Sequence, residues 1–254
     1  MVDRSVTKTK PIPLTWIFRY KIDEDGYLKS FKSRICVRGD LQPPSEKDTY
    51  TATLTSKSLR ILLAVITRWD LEARQLDTVN AFPNAKLDEV VYIELPNRYK
   101  IQGKIALFFQ ALYGLRRSLL LWQQLFIETF TTLGLQPVPD KPCIMINDWL
   151  IVFFFIDDII YAYKVIDELR IDDFRTKLMQ RFEIRNLDET IWFLSIKITR
   201  NRPQCKLWIN LESYFEKIAA KFYSDIYGAL RAPMTLQYLE PYEGTATAAE
   251  THLF

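Results

Sequence analysis

The chain has 254 residues, of which 48% are apolar and 26% charged, so it can bury a core as one large domain or as two to three small subdomains. Its net charge of +3 identifies no partner, and the lone histidine, His252, argues against histidine triads and histidine-ligated zinc. The three widely spaced cysteines argue against a disulfide framework and fit a reducing compartment, which leaves carboxylates and a metal as the chemistry open to an enzyme.

The N-terminal residues 1–10 are polar and lack the apolar segment of a signal peptide. The longest apolar run, Trp149–Ile156, is too short to span a membrane. We therefore expect a protein of the cytoplasm or nucleus that has no membrane partner. Only 7 residues are glycine, so turns that need a positive φ must be few or must use Asn and Asp.

Strand and helix patterns are mixed along the chain without strict strand–helix alternation, which predicts an α+β fold. A turn at Asp23–Gly26 joins the first two predicted strands, and Gly134 fits the C-cap of the second predicted helix. The predicted strands are Thr15–Ile22, Tyr27–Arg38, Arg74–Val79, Val90–Leu95, Cys143–Ile146, Trp149–Phe155, Ile159–Tyr163, Trp192–Thr199 and Lys206–Ile209. The predicted helices are Ser56–Trp69, Ser118–Leu133, Ile166–Phe182 and Glu212–Phe222. The apolar stripe assigned to the third helix is Leu169, Phe174, Leu178 and Phe182.

The segment Lys29–Arg38 carries four positive charges and no acidic residue. Such a strip can neutralise the phosphates of a nucleotide or a nucleic acid. A solvated strand face has the same composition. The sequence leaves both interpretations open.

An aspartate pair, Asp157-Asp158, follows directly after an apolar predicted strand. Two carboxylates this close resist simultaneous ionisation, and a divalent cation removes that conflict. Mg²⁺ prefers carboxylate oxygens and usually keeps water and substrate phosphates as its other ligands. Taken alone, such a pair is more often a pair of solvated turn residues.

A third acid, Asp77, lies in the strand-like run Gln75–Val79, and a carboxylate within a sheet needs a partner. Three acids on two strand elements suit a two-metal site, in which one ion activates the attacking hydroxyl and the other holds the leaving group. The alternative is an edge-strand aspartate that faces water.

Several motifs follow one another in a fixed order between Trp16 and Thr235. The matching segments are Trp16-Ile17-Phe18, Phe31-Lys32-Ser33-Arg34, Gln75-Leu76-Asp77, Ala81-Phe82, Asp88-Glu89, Tyr92-Ile93-Glu94 with Pro96, Ala111-Leu112-Tyr113-Gly114-Leu115-Arg116, Trp122, Asp140-Lys141-Pro142-Cys143, Phe155-Ile156-Asp157-Asp158 and Phe193-Leu194-Ser195-Ile196. This ordered set resembles the reverse transcriptase of copia-type (Pseudoviridae-like) LTR retrotransposons. The resemblance covers most of the chain.

The resemblance implies a right-hand polymerase with fingers, palm and a partial thumb, in which a mostly antiparallel palm sheet packs on helices. It implies that Asp77, Asp157 and Asp158 are the catalytic acids. These acids would bind Mg²⁺, with Mn²⁺ as the alternative, and the carbonyl of Thr78 would assist as a ligand.

The resemblance also implies a nucleotide pocket and contacts to nucleic acid. Lys32, Arg34 and Arg38 would face the triphosphate of an incoming dNTP. Phe82 would lie beneath its sugar, although plain core packing is the alternative role. The other implied contacts are Tyr113 and Gly114 in the nucleotide pocket and Phe155 and Ile156 against the nucleic acid. The RNA template and DNA primer would be held mainly by their backbones.

The implied domain scheme is an N-terminal tail at 1–14, a reverse transcriptase domain at 15–231 with a partial thumb from about residue 205, and a polar tail at 232–254. We find no protease, zinc-knuckle or integrase segment, and the sequence stops before a ribonuclease H domain could begin. We therefore expect a fragment or a relic that lacks these polyprotein-derived domains.

The chain departs from the family pattern at several positions. Phe155 and Ile156 replace tyrosine and valine, Leu119 replaces proline, and Ala85 and Ser195 replace glycines. A side chain costs about 1 kcal/mol or more wherever the lost glycine had a positive φ. Two interpretations therefore stay open, an active RNA-directed DNA polymerase and a catalytically silent relic that at most binds nucleic acid. An unrelated interaction domain would require every motif match to be accidental.

Overall fold

The structure, a computed structural model, describes residues 1–22, 27–44 and 47–222. The chain divides into two compact units, Met1–Asn210 and Leu211–Phe254, and the described part of the second unit contains the helix α4 (Glu212–Phe222). The predicted turn at 23–26 and the predicted polar tail at 232–254 lie outside the described residues. In the described ranges, no helix is long and apolar enough to cross a membrane.

The first unit is a mixture of strands and helices. Its strands are β1 (Val2–Asp3), β2 (Ile12–Ile22), β3 (Leu28–Val37), β4 (Glu72–Thr78), β5 (Lys86–Glu94), β6 (Lys104–Gln110), β7 (Gln136–Val138), β8 (Lys141–Ile146), β9 (Leu150–Phe155), β10 (Asp158–Tyr163), β11 (Ile184–Glu189), β12 (Trp192–Phe193), β13 (Ile196–Asn201) and β14 (Lys206–Asn210). Its helices are α1 (Ser56–Arg68), α2 (Ser118–Thr132) and α3 (Glu168–Arg181).

The strands form three sheets. The first has the order β1-β6-β5-β2-β3 and includes the long antiparallel hairpin of β2 and β3. The second has the order β11-β4-β10-β9-β8-β7, and all of its strand pairs are antiparallel. The third is the small sheet β12-β13-β14. The architecture is therefore mixed α/β with a central six-stranded antiparallel sheet.

Helices α2 and α3 cover one face of the six-stranded sheet. Phe126 of α2 meets Phe154 of β9 with a ring-centroid distance of 5.1 Å, and Phe174 of α3 meets Tyr161 of β10 at 6.3 Å. Because side chains alternate between the two faces of a strand, the residue next to buried Ile159, which is Asp158, points to the opposite face. Helices α2 and α3 therefore lie on the face opposite Asp158, which is itself half-buried.

All four predicted helices are confirmed, with their ends shifted by up to two residues, and each predicted strand lies on an observed one. One strand prediction is wrong in detail, because a turn at Leu194-Ser195 divides Trp192–Thr199 into β12 and β13. The strands that the sequence patterns did not predict are β1, β6, β7 and β11.

The apolar face assigned to α3 is wrong at one position. Leu169 is 85% exposed, whereas Ile171, Phe174 and Leu178 are buried. Leu169 lies five residues before Phe174, which at about 100° per residue places it roughly 140° away around the helix. Ile171 therefore occupies the buried position in the first turn.

The low glycine content predicted that turns with positive φ use Asn or Asp, and this is confirmed only in part. Four of the eight non-glycine residues with positive φ in the described ranges are Asp or Asn, namely Asp70, Asn80, Asp140 and Asp188. Leu194 and Ser195 are different, because they have φ of 52° and 65° at both central positions of the turn that joins β12 to β13. That geometry defines a type I′ turn, which favours Asn-Gly. Ala85 has φ of −87°, so the missing glycine causes no strain there.

We predict that Ser195→Gly stabilises the protein by about 0.5–1 kcal/mol, because the relief of a left-handed side chain exceeds the entropy that glycine adds to the unfolded chain. The urea midpoint should rise without a change in the slope of the transition. The control is Ser30→Gly in the extended strand β3, which should lower the midpoint. A lower midpoint for Ser195→Gly would contradict the strained-turn interpretation.

Candidate active site

The three predicted catalytic acids lie on adjacent pieces of backbone in the six-stranded sheet. Asp158 of β10 is the direct cross-strand partner of Asp77 in β4. Directly opposite residues of an antiparallel pair point to the same face, with Cβ atoms about 4.5–5.5 Å apart. Asp157 lies in the two-residue turn between β9 and β10, and its carbonyl accepts a hydrogen bond of 2.9 Å from the amide of Thr78.

The electrostatics of this group show excess negative charge. Burial raises the pKa of Asp158 to about 6, and the charges of Asp157 and Asp77 act in the same direction. A hydrogen bond of 3.2 Å from Nε2 of Gln75 to Oδ1 of Asp158 opposes that rise. Burial also raises the pKa of the Asp77 carboxyl, again with a contribution from Asp157. The acids therefore repel one another in a partly desolvated site.

Cations from two directions offset part of this repulsion. Burial and then the neighbouring cations Arg34 and Lys21 lower the pKa of Lys32 in β3, whereas the charges of Asp77 and Asp157 act to raise it. The predicted phosphate-facing lysine therefore faces the acids.

Arg185 is a site residue that the sequence patterns did not reveal. It is the cross-strand partner of Asp77 on β11, on the side opposite Asp158, and its Nη1 lies 3.9 Å from Oδ2 of Asp77. The side chain is 67% exposed, so this ion pair is loose. Strand β11 is almost entirely solvent-exposed and shows no apolar alternation. Only its pairing with β4 places Arg185 at the site.

Three further predicted residues gather beside the acids. The ring of Phe82 meets the ring of Tyr113 edge-on at a centroid distance of 4.6 Å, and the guanidinium of Arg34 lies 5.7 Å from the centroid of Tyr113. Burial raises the pKa of the Tyr113 hydroxyl, and the charge of Asp157 adds to that rise. Tyr113 is therefore close enough to the acids to sense their charge. Phe82 is half-buried and also packs against the main core.

Two of the predicted nucleotide-pocket residues have other partners in this structure. Arg38 forms an exposed ion pair with Asp40, with 2.7 Å between Nη2 and Oδ2, and this bond raises the pKa of Arg38. Gly114 has φ of 96°, and a Cβ there would lie 2.0 Å from the carbonyl oxygen of Val37. Glycine is therefore required at 114 for close backbone contact. The neighbouring bond of 2.7 Å from the Val37 amide to the Tyr113 carbonyl fixes the end of β3 against this segment.

The two residues predicted to contact nucleic acid, Phe155 and Ile156, are half-buried and directly precede Asp157. Ile156 has φ of 58°. Thr78, predicted to assist as a metal ligand, is 2% exposed, and its hydroxyl has no hydrogen-bond partner within the described part of the chain.

A divalent cation fits the chemistry of these donors. Hard cations prefer carboxylate oxygens, and Mg²⁺ often takes only one or two carboxylates and keeps water for the rest. Asp77 and Asp158 provide two such groups on one face, and burial, followed by the charge of neighbouring aspartates, raises the pKa of both carboxyls. Within the described ranges, no group of three or more His, Cys, Asp or Glu side chains is arranged tightly enough to hold an ion together. Asp77 and Asp158 alone therefore supply the paired carboxylates at this place in the described structure.

Comparison with known proteins identifies the family. The model of the family described as reverse transcriptase (RNA-dependent DNA polymerase) matches residues 1–235. The Pol polyprotein of transposon TNT 1-94 from Nicotiana tabacum is 27% identical over 223 residues, which cover 84% of this chain and 17% of that polyprotein. The Pol polyprotein of transposon RE1 from Arabidopsis thaliana is 27% identical over 194 residues, which cover 73% of this chain and 13% of that polyprotein.

Two further matches extend the set. The Ty1-BL Gag-Pol polyprotein of Saccharomyces cerevisiae is 26% identical over 182 residues, 68% of this chain and 10% of that polyprotein. A solved structure of the foamy viral protease-reverse transcriptase in complex with double-stranded DNA aligns with a TM-score of 0.44 and 12% identity, over 88% of this chain and 34% of that one. This chain thus spans less than a fifth of the length of these polyproteins. From the family match along residues 1–235, the chain belongs to the reverse transcriptase (RNA-dependent DNA polymerase) family and resembles the Pol polyproteins of copia-type retrotransposons.

Proposed function

We propose that the chain is the polymerase part of a copia-type retrotransposon reverse transcriptase, which transfers nucleotides from dNTPs to the 3′ end of a DNA primer on an RNA template. One observation carries the proposal: Asp77 and Asp158 are direct partners across two central strands, and Asp157 lies in the adjoining turn. The fold assignment that goes with it makes the six-stranded sheet the palm, the β2–β3 hairpin the fingers, and the region from about residue 205 the start of a partial thumb.

Under this proposal, Asp77, Asp157 and Asp158 hold Mg²⁺ or Mn²⁺, and the carbonyl of Thr78 assists. Divalent ions bound there would lower the pKa of the primer hydroxyl and neutralise charge on the triphosphate. The protein's part is to orient the carboxylates and to exclude bulk water from one side. The burial that raises the pKa of Asp77 and Asp158 supports this role, because desolvated carboxylates gain most from a cation.

The nucleotide would bind between the β2–β3 hairpin and the acids. Lys32 and Arg34 would contact the triphosphate, and their position beside Asp157 and Tyr113 supports this. Arg38 would first have to leave Asp40. Phe82, braced edge-on by Tyr113, would exclude a 2′-hydroxyl from the sugar site.

Template and primer would approach along the face of the sheet opposite the helices, where Phe155 and Ile156 lie next to the acids. Binding of a template–primer duplex by this chain is part of the proposal. Other segments of a polyprotein would supply integrase and ribonuclease H. We place the reaction in the cytoplasm or the nucleus.

A catalytically silent domain that only binds nucleic acid is the second candidate. The type I′ turn at Leu194-Ser195 supports it, because side chains occupy positions with positive φ where a glycine would be preferred. The relaxed backbone at Ala85 and the complete set of acids favour the active enzyme.

We predict that the folded wild-type protein extends a DNA primer on an RNA template with Mg²⁺ or Mn²⁺, and that Asp157→Asn/Asp158→Asn lowers the rate at least about 1,000-fold because the metal ligands lose their charge. Gel-resolved primer extension measures this. Asp148→Asn, at an exposed turn between β8 and β9, is the matched control and should extend like the wild type. A folded, duplex-binding wild type that does not extend would establish the silent candidate.

The pKa of Asp158 predicts a pH-dependent stability. Its folded-state pKa of about 6 exceeds the ordinary aspartate pKa of about 3.9, so the folded protein binds the proton more tightly and loses stability as pH rises through about 4 to 6. Asp158→Asn removes this loss. In metal-free buffer at pH 7.5 the variant should melt about 2–6 °C above the wild type, and the gap should close below about pH 4. Calorimetry with Asp148→Asn as the control measures it, and equal melting curves at pH 7.5 would show that the site is not strained by charge.

We predict that Phe82→Val admits ribonucleotides, because the smaller side chain leaves room for a 2′-hydroxyl. The preference for dNTPs over rNTPs should fall about 10- to 200-fold, the range that one small steric contact supplies. Single-nucleotide incorporation kinetics give the two values of kcat/KM. Phe109→Ala, at an exposed phenylalanine of β6, should leave the ratio unchanged. An unchanged ratio in Phe82→Val would assign Phe82 to core packing.

A further inference from the structure

The turn that carries Asp157 has an unfavourable backbone. It consists of two residues, since Phe155 and Asp158 form the closing pair of the β9–β10 hairpin. Its first central residue, Ile156, has φ of 58°, a region that β-branched residues rarely adopt. Hairpin turns with a positive φ only at the first central position strongly prefer glycine there. An external contact must therefore hold Ile156 in place.

That contact comes from helix α2. The indole Nε1–H of Trp122 donates a hydrogen bond of 2.7 Å to the carbonyl oxygen of Ile156. Trp122 is 1% exposed and lies against Phe126 and Phe182, with ring-centroid distances of 4.4 and 5.2 Å, so its indole cannot turn away. The indole N–H thus links the buried core to the main chain of the turn.

The carbonyl of Asp157, the second residue of the turn, accepts a hydrogen bond from strand β4. The amide of Thr78, at the end of β4, donates to the carbonyl of Asp157 at 2.9 Å. Asp77 directly precedes Thr78 in β4. The turn is therefore clamped between the helix that carries Trp122 and the strand that carries Asp77. Both bonds fix main-chain atoms and leave the carboxylate of Asp157 available.

We propose that Trp122 is a positioning residue, whose indole N–H holds the Ile156 turn in its strained conformation and so keeps Asp157 in register with Asp77. The proposal rests on the proposed function for its catalytic meaning, because it concerns the same acids. Trp122 then has two roles: its ring fills the core, and its N–H orients the turn. It also implies that glycine at 156, which relieves the strain, makes the N–H dispensable.

Four proteins test whether the effect of the Trp122 N–H depends on the strained backbone at Ile156. They are the wild type, Trp122→Phe, Ile156→Gly and the double variant. Trp122→Phe keeps an aromatic ring and removes the N–H. Trp149→Phe makes the same substitution at a half-buried tryptophan that contacts Arg170 and does not touch the turn, so it controls for the loss of indole volume. Thermal unfolding of all five proteins checks that each one is folded.

The deciding readout is amide hydrogen exchange at Thr78, whose N–H donates to the Asp157 carbonyl, and at Asp158, in the metal-free protein. We expect Trp122→Phe to speed exchange about tenfold, the size of the net contribution of one hydrogen bond. In the Ile156→Gly background the same substitution should change exchange less than about threefold. Trp149→Phe should leave both amides unchanged. Equal effects of Trp122→Phe in the two backgrounds, or no effect in either, would overturn the proposal.

Mn²⁺ binding to the free protein, followed by electron paramagnetic resonance, gives a second readout. We expect Trp122→Phe to weaken binding about tenfold and the double variant to bind like Ile156→Gly. The two proposals can fail separately. A wild type that never extends a primer but shows this coupling would overturn the polymerase function and support the positioning role. Normal extension without coupling would overturn the positioning role alone.

Discussion

The site depends above all on the antiparallel pairing of β4 with β10. This register sets Asp77 opposite Asp158 and, two residues away, Gln75 opposite Ile160. The pairing is fixed by burial, because Leu76 and Ile159 are fully buried on the helix-covered face. A slip of β10 by one residue would turn Ile159 to the face of Asp77 and Asp158 toward the helices, so the two acids would no longer share a face. The same hydrophobic pattern that folds the sheet therefore aligns the acids.

The alignment creates a charge problem that the rest of the molecule offsets. Desolvated carboxylates lie close together, and cations reach them from the β2–β3 hairpin through Lys32 and from β11 through Arg185. The hairpin can supply Lys32 only if its base is fixed. The close backbone contact at Gly114 and the bond from Val37 to Tyr113 provide that anchor. Gly114 thus serves the site through the backbone, beyond the pocket-lining role that the family resemblance implies.

Strained turns occur in two functionally different places. At Ile156 the strain lies next to the acids and is held by hydrogen bonds from α2 and β4. At Leu194-Ser195 the turn joins two short strands. A scaffold can keep a strained conformation where surrounding contacts over-determine it, and such conformations cluster at functional sites. The clamped Ile156 turn fits that pattern.

The sequence by itself determined the family, the mixed architecture and the helices, and it singled out the three acids that we propose as catalytic. Local periodicity and the order of motifs are properties of neighbouring residues, so Trp122 and the Asp157-Asp158 pair could be recognised without coordinates. Only the tertiary structure decided which groups meet. Arg185 lies beside Asp77 because its edge strand, which has no apolar pattern, pairs with β4. Arg38 forms an ion pair with Asp40. Pairing between distant segments depends on register and on competition among partners, neither of which is encoded in local spacing.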